Sequence, residues 1–289
     1  MARGIELLSG PPRLAPAFAR SLLPRRSRRE AGIPTRSAVI AHYRQDPSRL
    51  AAYNRLTGFT LRDEVPPTWL HVLTFPLHIH LLSDRESSIR LVGAVHVSNR
   101  MALRRAVSVG EALTLEVHLD SLRPHARGAL VDLIGQVRVD GETVWDGVST
   151  YLAQGVAVRG EPAVVERAPF ESATPHALWE LPRDLGRRYR EVSRDPNPIH
   201  TSRIASRAFG FEGPIVHGMW THARALAALE QRLPAAYSVD VSFTKPITLP
   251  AKVGLVTKST RDGYGAAVTD LKGAKPYLLM NVDASPPGV

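Results

Sequence analysis

One carboxylate, Asp195, stands five residues before one imidazole, His200, in the segment Tyr189-Arg-Glu-Val-Ser-Arg-Asp-Pro-Asn-Pro-Ile-His200. Pro196 and Pro198 fall between them, so a stiff, non-helical stretch presents the pair. A histidine near 6.5 is poised at working pH, and a carboxylate raised by burial can match it. Further on, Gly213-Pro-Ile-Val-His-Gly-Met219 opens an apolar run with Ile215, Met219, Leu226 and Leu229 at helical spacings. A helix N-terminus offers free backbone N–H groups, which suit a developing oxyanion. An acid, a base and an oxyanion donor in one stretch point to proton transfer.

Other residues are weaker candidates. Asn197 either fixes the loop through its amide or makes an Asx turn before Pro198. His217 and His222 are five apart, which does not place both on one helical face. With no cysteine and no Glu-x-x-His spacing, no metal site is expected. His78 and His80 are read as structural or as lining a cleft, and Trp220 and Phe243 as core. Gly-x-Ser-x-Gly, Gly-x-Gly-x-x-Gly and Walker patterns are absent, which argues against serine hydrolase, dinucleotide and nucleotide chemistry.

The chain has 289 residues, enough for one large or two ordinary domains, and 44% are apolar. Lack of cysteine excludes disulfides and thiol nucleophiles. No apolar run suits a membrane span, and no signal-peptide core is present, so a cytoplasmic location is expected. Net charge is +10, which raises nucleic acid as a partner. Residues 1–37, however, hold eight Arg and two Glu, so most of that charge lies in a basic, flexible N-terminal extension. Nucleic acid is therefore not the expected partner. A mildly basic body suits a phosphate-bearing substrate or an acidic carrier protein.

The elements around the pair repeat. After the extension, a helix is expected over Ser37–Leu56 and another around Leu73–Ser83. Strands follow at Ile89–Val97, Glu111–Leu119, Ala129–Val139 and Thr143–Leu152, with Asp140-Gly141 as a hairpin signal. Residues 156–175 read as a linker. The second half gives a short helix over Leu181–Ser193, the motif loop, and an apolar helix from Ile215 to Arg232. Strands then follow at Ser238–Phe243, Ala251–Lys258, Ala266–Leu271 and Tyr277–Val282. Ala52-Tyr-Asn-Arg-Leu-Thr-Gly58 echoes Arg188-Tyr-Arg-Glu-Val-Ser-Arg194, and Val95–Asn99 echoes Val239–Phe243. The first echo sets Phe59 opposite Asp195 and Glu64 opposite His200, so the first copy lacks the pair. Helix then antiparallel strands, twice, is α+β, with each sheet wrapped around one long apolar helix.

These residues resemble the MaoC-like dehydratases, the (R)-specific enoyl-CoA hydratase or hydratase 2 family. The resemblance rests on Ser193-Arg-Asp-Pro-Asn-Pro-Ile-His200, on Ile215-Val-His-Gly-Met219 and on Ser242-Phe-Thr-Lys-Pro246. It covers residues 180–283 closely. The first half matches the long two-hotdog form by element order and by Leu73-Thr-Phe-Pro76. The family usually has Gly before the aspartate, where this chain has Arg194.

The resemblance implies a double hotdog, with 38–155 non-catalytic and 176–289 catalytic. It implies a (3R)-hydroxyacyl-thioester dehydratase, or trans-2-enoyl-CoA hydratase, with no cofactor beyond the acyl carrier. Asp195 and His200 would be the catalytic pair, and Gly218 would present its N–H to the thioester oxygen. Asn197, His217, Met219 and Lys245 would meet the acyl-CoA or acyl carrier protein thioester, Lys245 at the phosphate or pantetheine arm. Two hotdogs in one chain mimic a dimer, so a monomer is feasible, and a further homodimer through sheet edges is expected. The rivals are a hotdog thioesterase, for which Glu230 is the only carboxylate on the helix, and a non-catalytic acyl-carrier or nucleic-acid binding module.

Overall fold

The computed structural model describes residues 3–21, 31–91, 93–165 and 167–285. Two copies of one topology build it. The first copy holds β2 (Ser37–Tyr43), α2 (Pro47–Thr57), α3 (Pro67–Leu82), β3 (Ala94–Leu103), β4 (Leu113–His125), β5 (Gly128–Val139) and β6 (Glu142–Gln154). The second holds β7 (Ala177–Leu181), α4 (Leu185–Ser193), α5 (Arg203–Ala208), α6 (Gly218–Ala227), β8 (Tyr237–Phe243), β9 (Ala251–Ser259), β10 (Gly263–Thr269) and β11 (Pro276–Asp283). Strand order is β2-β4-β5-β6-β3 in one copy and β7-β9-β10-β11-β8 in the other. This is the double hotdog.

The two sheets are not separate, as the sequence suggested. β3 and β8 pair antiparallel, Arg100 opposite Asp240, and join all the strands into one 11-stranded sheet. Alternating burial along β4 and β5 shows one face turned to the core, as period two requires.

The α3 helix is that core's axis. Fifteen of its sixteen residues are buried, so it shows no apolar stripe to fix its ends from sequence. It starts at Pro67, six residues before the expected Leu73, with proline at the position where a missing N–H costs nothing. The expected helix over Ser37–Leu56 splits into β2 and α2, because a short apolar run such as Ala38-Val-Ile-Ala41 suits a buried strand as well as a helix. The second copy's equivalent strand, β7, lies just after the stretch read as linker and reaches the expected helix start at Leu181, where no strand was expected. The helix expected from Ile215 to Arg232 is limited to α6, followed by a 3-10 turn at Glu230–Arg232.

The extension also differs from its reading. It carries β1 (Ile5–Leu7), paired parallel with β2, and α1 (Leu14–Ser21), whose Leu14, Ala17 and Phe18 enter the core. Arg3 pairs with Asp120, and Arg36 with Glu6 and Asp84. Arg25, Arg26, Arg28 and Arg29 lie outside the described residues. No described helix is long and apolar enough to cross a membrane.

Candidate active site

Backbone bonds give the true register between the copies. Val65 N–H donates to Val107 O, and Val216 N–H donates to Ile247 O, each at 2.9 Å. Isolated bridges Glu64–Ser108 and Ile215–Thr248 flank them. Glu64 is therefore the counterpart of Ile215, not of His200 as the ungapped echo had it. Counting onward, Pro66-Pro67 correspond to His217-Gly218, Trp69 to Trp220 and His71 to His222. The stretch between helix end and central helix is 59–66 in the first copy and 195–217 in the second. Asp195 and His200 sit on that insertion.

The insertion begins where α4 ends. Arg194 caps α4 in the left-handed conformation, φ 61°, where the first copy has Gly58 at 91°. An L-residue adopts this conformation at a cost, so Arg194 accepts local strain to turn the chain into the loop. The Asn197 N–H donates to Asp195 Oδ1 at 2.9 Å, and Asn197 Oδ1 accepts from Ile199 N–H at 3.3 Å. Asn197 thus makes the Asx-type cap of the 3-10 turn Pro198–His200.

His200 is buried, and its Nδ1 lies 2.8 Å from Ile215 O. The proton must sit on Nδ1 to satisfy that carbonyl, which leaves the Nε2 lone pair free. His217 stacks on His200, centroids 3.6 Å apart, and its Nε2 lies 3.8 Å from Asp195 Oδ2. Burial raises the Asp195 carboxyl above its usual value, opposed by His200 and the Asn197 N–H. Burial lowers the His200 imidazole, opposed by Asp195 and by the bond to Ile215. The two groups are pushed towards each other, as proton exchange between them requires.

His217 is the N-cap of α6. Backbone bonding resumes with Trp220 N–H to His217 O, so the Gly218 and Met219 N–H groups precede the helical ladder. A Cβ at Gly218 would come within 2.9 Å of the Phe243 ring. Close packing therefore demands glycine here, whatever its N–H does.

All seven sequence candidates line one cavity of about 360 Å³: Asp195, Asn197, His200, His217, Gly218, Met219 and Lys245. Lys245 is exposed at its rim, while Trp220 is core and donates to Leu56 O. Residues the sequence reading did not single out line it too: His71, His96, Tyr151, Arg127 and Arg167. His71 lay outside the helix as first drawn, so its place on α3 was invisible. His78 and His80, once candidates for a cleft, are elsewhere: His78 is buried, and His80 bonds Glu6. Glu230, the thioesterase candidate, instead holds Thr60 and Arg62 of the first copy.

Potential ligand atoms of Asp195, His200 and His217 lie within 4.8 Å of one another. This is a different set from the His217/His222 pair weighed on sequence. Ring lone pairs lie in the ring plane, so two stacked imidazoles do not converge on one cation, and His200 Nδ1 is already engaged. The geometry suits a proton-transfer pair better than a metal.

The MaoC like domain matches residues 168–274. Over 251 residues the chain is 34% identical to 3-hydroxyacyl-thioester dehydratase X of Mycobacterium tuberculosis, spanning 86% of this chain and 90% of that one. The crystal structure of HtdX from the same organism superposes with a TM-score of 0.77 at 34% identity, covering 86% of this chain and 99% of that one. A further M. tuberculosis protein with a double hotdog fold, 13% identical, gives 0.51 over 88% of this chain and 96% of that one and speaks to the fold alone. By sequence over most of its length, by fold and by the residues gathered in the cavity, the chain belongs to the MaoC-like dehydratase family.

Proposed function

We propose that the protein interconverts a (3R)-hydroxyacyl thioester and a trans-2-enoyl thioester plus water, with 176–289 as the catalytic half and 38–155 as a half without an acid/base pair. The observation that carries this is the half-buried Asp195 carboxylate and the buried His200 imidazole together lining a mostly apolar cavity beside the N-terminus of α6. In dehydration, His200 Nε2 takes the α-proton and the Asp195 carboxyl gives a proton to the departing β-hydroxyl. The C–O bond breaks, the α,β double bond forms and water leaves. Both groups act from one face, which makes the elimination syn. As the α-proton leaves, the thioester oxygen gains negative charge, and the Gly218 N–H with the α6 dipole stabilises it. His217 packs against the working imidazole and keeps water from its face.

The carrier end of the thioester leaves past Lys245, Arg127 and Arg167, cations that suit phosphate on a pantetheine arm. The acyl end runs the other way, between the copies, along Val72, Phe75, Ile79 and Leu82 of α3 to Phe18 of α1. The first copy thus gives room to a long chain.

The test is loss of enoyl absorbance with crotonyl-CoA and longer trans-2-enoyl-CoAs. Asp195→Asn and His200→Ala should each slow turnover by roughly 10²–10⁴. Turnover unchanged from wild type in both variants would remove the pair from the mechanism.

A further inference from the structure

The two helices that flank the loop of Asp195 and His200 carry an unusual charge. Residues 185–208, from the start of α4 to the end of α5, hold six arginines and two carboxylates. That surplus equals the net charge of the whole chain beyond residue 37. One of the two carboxylates, Asp195, lines the cavity. Arg187, Arg188, Arg190, Arg194, Arg203 and Arg207 are all exposed, and none forms an ion pair among the described residues. Elsewhere Arg104, Arg105, Arg123 and Arg138 are each held by a carboxylate. Arg187, Arg190 and Arg194 follow at intervals of three and four residues, and Arg203 and Arg207 at four. Like charges at that spacing repel, so the fold gains nothing from them.

An apolar group stands among these cations. Ile204 is 85% exposed between Arg203 and Arg207, and Phe209 at the end of α5 is exposed too. Ser202 Oγ accepts from Ala205 N–H at 3.2 Å, so a capped helix presents them. A lone exposed isoleucine is ordinary on a surface. One set among unpaired arginines has the make-up of a protein contact. The patch also adjoins the cavity. Phe211, which lines it, donates its N–H to Ser206 O of α5 at 3.0 Å. Ile215 bridges Thr248, three residues beyond Lys245 at the rim. On the other side, α4 packs on the loop so closely that a Cβ at Gly186 would come within 1.9 Å of His200 O.

We infer that α5, with the outer face of α4, is the docking surface for an acidic carrier protein that holds the acyl thioester on a pantetheine arm. Carboxylates of the carrier neutralise the arginines, and Ile204 enters an apolar spot between them. The arm then passes Phe211 and Lys245 into the cavity. Coenzyme A ends in the same arm but has no protein face, so it gains nothing from Ile204. The inference rests on the dehydratase reading for what the arm delivers, whereas docking itself is measurable without turnover.

The test loads one trans-2-enoyl chain on coenzyme A and on an acidic bacterial acyl carrier protein. The double variant Arg203→Glu/Arg207→Glu, and separately Ile204→Asp, should raise KM for the carrier-bound substrate about tenfold or more. Both should leave kcat and KM for the coenzyme A substrate within about twofold. Added salt should raise the carrier KM of wild type more than that of the double variant. Arg261→Glu, an exposed arginine on the β9–β10 turn, controls for net charge and should change neither KM. An equal loss on both substrates, or an unchanged carrier KM in the double variant, overturns the docking surface. Calorimetric titration with the unloaded carrier keeps this apart from the dehydratase reading. Binding to wild type that is lost in the double variant supports the surface even where no enoyl substrate turns over. No binding to wild type, or binding only to vesicles of anionic lipid, overturns it.

Discussion

The two hotdogs share a strand order and two buried tryptophans at equivalent helix positions, yet the Asp195–His200 pair has no counterpart in the first copy. Two differences separate them. The second copy inserts a loop ahead of its central helix and shortens that helix to Gly218–Ala227, against Pro67–Leu82 in the first. At the helix start, the first copy has Pro66-Pro67 where the second has His217-Gly218. A proline has no N–H to offer an oxyanion. On the proposed mechanism, the first copy lacks both the loop and the donor. What it keeps, a long apolar helix, becomes a wall of its neighbour's cavity.

The sharpest break of this comparison sets carboxylates of the two copies against each other. Asp195→Asn should cost turnover roughly 10²–10⁴, whereas Asp63→Ala and Glu64→Ala, exposed in the first copy, should change it less than twofold or so. Steady-state rates on one enoyl-CoA decide it, and a large loss in the Asp63 variant would mean that the first copy is not blank.

The next effect tests the helix start. Gly218→Ala pushes a methyl into Phe243 and displaces the N–H, so kcat should fall about tenfold to a hundredfold with some loss of stability. Gly218→Pro copies Pro67, removes the N–H altogether and should fall further. If the proline variant outperforms the alanine variant, the N–H is not the oxyanion donor.

Acid sensitivity comes third. Burial holds His71 near about 4 and His222 near about 3, equivalent residues in the two copies. The unfolded chain protonates its histidines near 6.5, so below that pH the unfolded state binds more protons and stability falls as pH falls. Between about pH 6.5 and 5, each should contribute a loss of roughly 1–2 kcal/mol. Thermal melts should show His71→Phe losing less on acidification than wild type, and parallel curves would show that His71 is already charged in the fold.

The smallest effect concerns the helix caps. Arg194→Gly relieves the left-handed strain and should stabilise by ~1 kcal/mol, read from a chemical melt. The reverse change, Gly58→Arg, should destabilise, since a Cβ there would meet Arg224 at 1.7 Å.

The catalytic loop was legible because its chemistry is local. Asp195, Asn197 and His200 are held by bonds to residues two to fifteen positions away, and two prolines and a histidine advertise them. The second wall of the cavity was not. His71, His96 and Tyr151 reach it through pairings across 25 and 55 residues, and an all-round apolar helix hides which of its faces is open. The repeat was visible, but its register was not. A short motif match without gaps slid past the insertion, and only the bridges at Glu64 and Ile215 corrected it.

The β3–β8 pairing has a consequence for dilution. Tyr151 and His96 come from one half and Asp195 and His200 from the other, so the cavity exists only while the halves are joined. In an enzyme made of two separate hotdog subunits, that joining is a bimolecular equilibrium and weakens as protein becomes scarce. Here a covalent tether makes it intramolecular, at an effective concentration fixed by the linker. Specific activity should therefore stay constant down to enzyme concentrations at which a two-subunit counterpart would come apart. Cutting the chain in the linker would leave each half with a long unpaired strand edge, prone to pair with whatever strand it next meets.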